Sequence, residues 1–186
     1  MKNFQFGVLP PEHTSVFFLD DDGDFPNNEQ LPVIVYEHAL QISNEDLAER
    51  DIEGLLADNR WHHPWRGQVQ DFHHYHSTAH EVLIALKGRA TLMLGGPRGT
   101  TLQLNPGDVI LIPAGVAHKA EESSADFECI GAYPEDQLFD MNYGKPEERS
   151  KANENIQQLP LPEADPVYGI DGPLVFHWKL DRNQKP

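Results

Sequence analysis

The chain has 186 residues, the length of one ordinary domain and enough to bury roughly two thirds of the surface its unfolded form exposes. Lys and Arg number 14 against 30 Asp and Glu, a formal net charge of -16, which repels phosphate backbones and anionic headgroups and argues against nucleic-acid and membrane partners. The 15 Pro and 14 Gly demand many turns and favour β structure, while the single Cys129 excludes an intrachain disulfide.

The opening residues MKNFQFGVLPPE lack the apolar core of a signal peptide. No run approaches the ~20 apolar residues of a membrane helix, so a soluble, cytoplasmic protein is expected. Short strands are expected at Val16 to Leu19 and Val33 to His38, forming an N-terminal β arm. Between them, Asp20, Asp22 and Asp24 alternate as in a calcium loop. No glutamate stands at the twelfth position and no helices flank the segment, which leaves a solvated turn.

Ser43 and Asp46 resemble a capping box, and Leu47, Ile52, Leu55 and Leu56 recur at near-helical spacing. One amphipathic helix is therefore expected to run to about Asp58. Pro64 and Gly67 in WHHPWRG then interrupt the pattern. From Gln68 the chain breaks into short apolar runs: VQDFHHYH, HEVLIALK, ATLML, TLQL, DVILI and FECIGAY. Turn chemistry separates them at Lys87-Gly88-Arg89, at Gly95 to Gly99, at Asn105-Pro106-Gly107-Asp108 and at Pro113-Ala114-Gly115. The expectation is a single, mainly β domain. Residues 1–66 supply the arm and helix, residues 67–133 a barrel, and residues 134–186 an extended tail that wraps it.

Within HHYHSTAHEVLIALKG, His74 and His76 are two apart, so on a strand both side chains face the same way and can share one ion. After the Ser77-Thr78-Ala79 turn, Glu81 can face the same interior, followed by Leu83 and Ala85, with His80, Val82 and Ile84 outside. His118 emerges just after the turn at Pro113-Ala114-Gly115. Three imidazoles and a carboxylate suit one divalent transition metal, of the Ni, Fe, Mn, Co, Cu or Zn set, and leave positions open on an octahedral ion. Were the turn shaped differently, His80 would reach the metal in place of Glu81.

His74-x-His76-x4-Glu81-x6-Gly88 followed by Gly107-x5-Pro113-x-Gly115-x2-His118 resembles the paired motifs of the cupin family. Two non-ligand positions depart from the pattern: Gly67 stands one residue too far from His74, and Glu122 replaces an Asn. The resemblance covers about a third of the chain and is to small bacterial single-domain cupins. It implies a jelly-roll (double-stranded β-helix) barrel with His74, His76, Glu81 and His118 on the metal.

Such proteins include oxygenases and isomerases, so a metalloenzyme acting on a small oxygen-bearing molecule is the leading expectation; a metal-dependent small-ligand binding or sensing protein is the alternative. His73 and His80 read as packing or surface groups, Cys129 as a small interior hydrophobe, and Trp61, His62, His63 and Trp65 as packing against the barrel or lining its mouth. Tyr133 and Arg89 are candidate substrate contacts, with packing the commoner role. VLIALK and DVILI are apolar on both faces, so their outward face needs a cover, and a homodimer is expected to provide part of it.

Overall fold

The computed structural model describes residues 6–183; the side chains of Asp46, Leu47 and residues 180–183 lie outside that description, and with them part of the capping-box expectation. The chain begins with β1 (Phe6–Val8), β2 (Thr14–Leu19), β3 (Asn28–Tyr36) and β4 (Leu40–Ile42), then α1 (Glu45–Asp58) and β5 (Trp61–Gly67). There follow β6 (Glu81–Lys87), β7 (Ala90–Leu94), β8 (Thr100–Leu104), β9 (Val109–Ile112), β10 (His118–Ser123) and β11 (Glu128–Pro134). The C-terminal part holds α2 (Arg149–Gln158) and α3 (Pro173–Asn183).

Every ladder is antiparallel. Six strands pair in the order β2-β3-β9-β6-β11-β5, three as β10-β7-β8, and two as β1-β4. Period-two alternation explains how the larger sheets meet. Val33, Val35, Leu83, Ala85, Ile110, Ile112 and Cys129 point from the six-stranded sheet toward Leu92, Leu94, Leu104 and Ala120 of the smaller one. This is the jelly-roll interior, and the mainly β architecture is as expected.

The residues between them, Ile34, Tyr36, Val82, Ile84, Val109 and Leu111, form a second core on the other face. There Ala48, Ile52 and Leu56, one stripe of α1, pack with Leu174 and Trp178 of α3. The apolar outer face that motivated a homodimer is therefore buried within the chain itself. Strands apolar on both faces read alike whether helices or a second subunit cover them.

The C-terminal segment holds two helices rather than the extended chain expected, and Leu174 and Trp178 of α3 pack against the six-stranded sheet. Asp165 and Tyr36 start α3: the Leu174 N–H donates to both Asp165 Oδ2 (3.0 Å) and the Tyr36 hydroxyl (3.1 Å), and Tyr36 in turn donates to Asp165. The Trp178 indole N–H then donates to the Pro32 carbonyl at 3.0 Å. WHHPWRG also departs from expectation, since it forms β5 on the sheet edge. An edge strand tolerates Pro64, and the register slips between Gly131 and Tyr133 of its partner β11.

Candidate metal centre

His74 and His76 lie between β5 and β6 on irregular extended chain, not on the ladder strand expected. His74 forms an isolated bridge with His118, and Tyr75 another with Asn142. Each residue pairs with a different partner, so no ladder builds. The His74 N–H donates to the His118 carbonyl (3.2 Å) and the His118 N–H to the His74 carbonyl (2.9 Å), which sets two imidazoles side by side. Glu81 opens β6 opposite Ile112 of β9. His118 opens β10 after a turn in which Gly115 has φ +96°; a Cβ there would meet the Asn27 carbonyl oxygen at 2.3 Å, so the turn needs glycine.

The four side chains are buried together. The donor atoms of His74, His76 and His118 all lie within 4.8 Å of one another. Glu81 Oε2 is 3.4 Å from His76 Nε2 and 3.2 Å from His118 Nε2, and it accepts no hydrogen bond of normal geometry. Cis donors on an ion held at about 2.1 Å stand about 3 Å apart, so these separations suit a shared ion.

The tautomers point the same way. Nδ1 of His74 lies 3.1 Å from the Phe72 carbonyl, Nδ1 of His76 2.5 Å from that of Asp140, and Nδ1 of His118 3.1 Å from that of Val116. A carbonyl only accepts, so each Nδ1 carries a proton, and each ring in its neutral form turns an Nε2 lone pair inward. The three inward-facing Nε2 atoms form a donor set compatible with a divalent transition metal, and Glu81 lies beside two of them.

Burial, then the neighbouring His118, pushes His74 down to about 3. At His76 burial also disfavours the charged form, but the Glu81 carboxylate outweighs it and the group titrates above its ordinary value. Glu81 is held well below the carboxylate range, with His76 and His118 overcoming burial.

His80 does not join this group. Its Nδ1 accepts the Ala114 N–H at 3.0 Å, and its ring lies 4.7 Å from that of Trp178 on the opposite face of the sheet. Cys129 is fully buried, and burial pushes its thiol far up, as suits an interior hydrophobe. Trp61 is buried with its N–H on the Ala164 carbonyl, and His62 stands by Glu135 at 3.7 Å. Arg89 lines a separate surface depression.

A cavity of about 340 Å³ opens over the four side chains; His63, Trp65 and Tyr133 line it, as do Phe139 and Met141. The last two escaped sequence reading because they sit in a polar, non-periodic stretch. Asp140 places that stretch. Its carboxylate accepts the Ser77 N–H (2.6 Å), the Ser77 hydroxyl (2.5 Å) and the Asn142 amide (2.8 Å), while its carbonyl anchors His76.

A cupin-domain family model matches residues 62–130, and the chain belongs to the cupin family. It is 43% identical over 165 residues to the uncharacterized protein YjlB of Bacillus subtilis, covering 89% of this chain and 96% of that relative. Among solved structures it is similar to acireductone dioxygenase from Bacillus anthracis with a cadmium ion in its active center, at 17% identity over 70% of this chain and 84% of that one, TM-score 0.38. It is also similar to the dTDP-6-deoxy-D-glucose-3,5-epimerase RmlC from Legionella pneumophila, at 16% identity over 66% of this chain and 72% of that one, TM-score 0.36. Likenesses this distant carry no argument about the reaction. No helix among the described residues is long and apolar enough to cross a membrane.

Proposed function

We propose that the protein is a metal-dependent cupin enzyme in which His74, His76, Glu81 and His118 hold one divalent transition ion of the Fe, Mn, Ni, Co, Cu or Zn set. A small oxygen-bearing molecule is transformed beside it by oxygenase, isomerase or related chemistry. The observation that carries this reading is the set of three imidazoles, each fixed through Nδ1 to a backbone carbonyl, with donor atoms within 4.8 Å of one another, in the lining of an open cavity that Glu81 shares. The ion would supply a Lewis acid with positions free for water or a substrate oxygen. All of these side chains come from one chain, so the reading needs no second subunit.

The protein's own contribution is orientation within a largely apolar cavity. Apolar side chains make up much of the wall around the polar centre, and Tyr133 stands beside Glu81 with its phenol pushed well up by burial and by that carboxylate, hence protonated and able to donate.

The test is metal analysis of protein purified without a polyhistidine tag, combined with circular dichroism and turnover assays. Wild-type protein should hold one ion per chain. His74→Ala, His76→Ala and His118→Ala should each lose most of it, about tenfold or more in affinity, with β-type spectra retained; Glu81→Ala should lose less, because water best replaces a lone carboxylate. Full occupancy in all three histidine variants overturns the site. Metal and ligand binding without product in any assay favours a binding role over an enzyme.

A further inference from the structure

The cavity over the proposed metal centre has mostly apolar walls. Trp65, Val69, Leu83, Phe139 and Met141 present carbon, Gln68 and Gln70 add neutral amides, Tyr133 a hydroxyl and His63 an imidazole, and none of its lining residues is Lys or Arg. The cations near the edge of the sheet are committed elsewhere: Arg66 pairs with Glu49 and Glu128, and Lys87 with Glu128.

Two of the aromatic walls are held in place. A Cβ on Gly131 would lie 2.2 Å from the Trp65 ring, so the indole occupies space that only a glycine in β11 leaves. Its N–H donates to the Tyr133 hydroxyl at 3.1 Å. Phe139 stacks on Tyr133 with centroids 4.8 Å apart and planes 23° apart, yet is 48% exposed, which places it at the mouth.

Charge narrows the occupant further. Glu81 is the one carboxylate among the lining residues. A divalent ion bound to it and to three neutral imidazoles retains a single positive charge, which one negative charge on a ligand cancels. A second negative charge, or a phosphate, would lie against carbon and neutral amides with no Lys or Arg among the lining residues to meet it, His63 being the one lining group beyond the proposed metal ligands that a proton could make cationic.

Resting on the metal-centre reading, we infer that this cavity selects a singly charged acid that chelates through two oxygens, of the 2-oxo or 2-hydroxy acid class, carries a flat apolar body and bears no phosphate. The carboxylate and its neighbouring oxygen take the ion's free positions. The body lies between Trp65 and Phe139, whose ring faces suit a planar group.

The experiment titrates the Co(II)-loaded full chain with pyruvate, phenylpyruvate and phosphohydroxypyruvate, three 2-oxo acids differing in the tail, and follows the visible spectrum. Phenylpyruvate should bind about tenfold or more tightly than pyruvate, the return on burying a ring, and phosphohydroxypyruvate more weakly than pyruvate. In Phe139→Ala, and independently in Met141→Ala, the ratio of phenylpyruvate to pyruvate affinity should fall toward one, with circular dichroism and Co(II) uptake showing that fold and metal centre persist. Failure of the wild-type chain to take up Co(II) overturns the metal-centre reading itself. Full uptake with no acid altering the spectrum, with pyruvate and phenylpyruvate bound equally, or with the phosphorylated acid bound best, overturns the selection and leaves the metal centre standing. A wild-type preference that survives both substitutions overturns the assignment of these walls.

Discussion

His74 and His76 share a fold position but not an acid–base character. His74 is buried beside another imidazole and resists protonation, whereas the Glu81 carboxylate favours a proton on His76 despite equal burial. A metal ion must displace any proton on His76 Nε2, so binding releases protons and affinity should rise with pH. Measured by competition with a chelator from about pH 6 upward, affinity should climb through the ordinary range of a histidine, about 6.5, and level only above it, because His76 is held above its ordinary value. A flat profile would show that the His76–Glu81 pair holds no proton for the metal to displace. At this scale the candidate ligands were legible from their spacing, although His74 and His76 lie on irregular extended chain and reach His118 through an isolated bridge rather than through a ladder. Phe139 and Met141 were not, since Asp140 brings them to the cavity through contacts with Ser77, 63 residues earlier in the chain.

The elements divide in the same way. Strands β6, β7, β9 and β11 and helix α1 carry clear periodicity between turn signals, and they formed where expected. Helix α2 buries only Ala152 of its ten residues, so it shows no apolar stripe to read. Helix α3 begins with its Leu174 N–H on Asp165 and Tyr36, partners supplied by the fold. Because Trp178 is fully buried between α3 and the sheet, and its N–H is bonded to Pro32, Trp178→Ala should cost about 3–5 kcal/mol of stability. Denaturant unfolding measures the loss, and metal occupancy should persist, because α3 packs on the face of the sheet away from the site. Loss of the metal in a still-folded Trp178→Ala protein would contradict that separation.

At the scale of the whole molecule, the charge of -16 opposes the approach of any anion to the cavity, although a divalent ion at the proposed centre would attract one. Raising ionic strength from about 10 mM to about 150 mM shortens the screening length from about 30 Å to about 8 Å. Binding of pyruvate to the Co(II)-loaded protein should therefore strengthen over that range, and a monotonic weakening would mean that local attraction outweighs the overall field. Charge, turn chemistry and the spacing of His74, His76, Glu81 and His118 are properties of the chain itself. They determined the β class, the cupin resemblance and the candidate ligands because period-two geometry acts over a few residues. What covers the outer face of the sheet, how α3 starts, which residues wall the cavity and that His80 turns away to Ala114 and Trp178 were decided only by tertiary structure. These depend on contacts between residues tens to more than a hundred positions apart, whose partners no local pattern names.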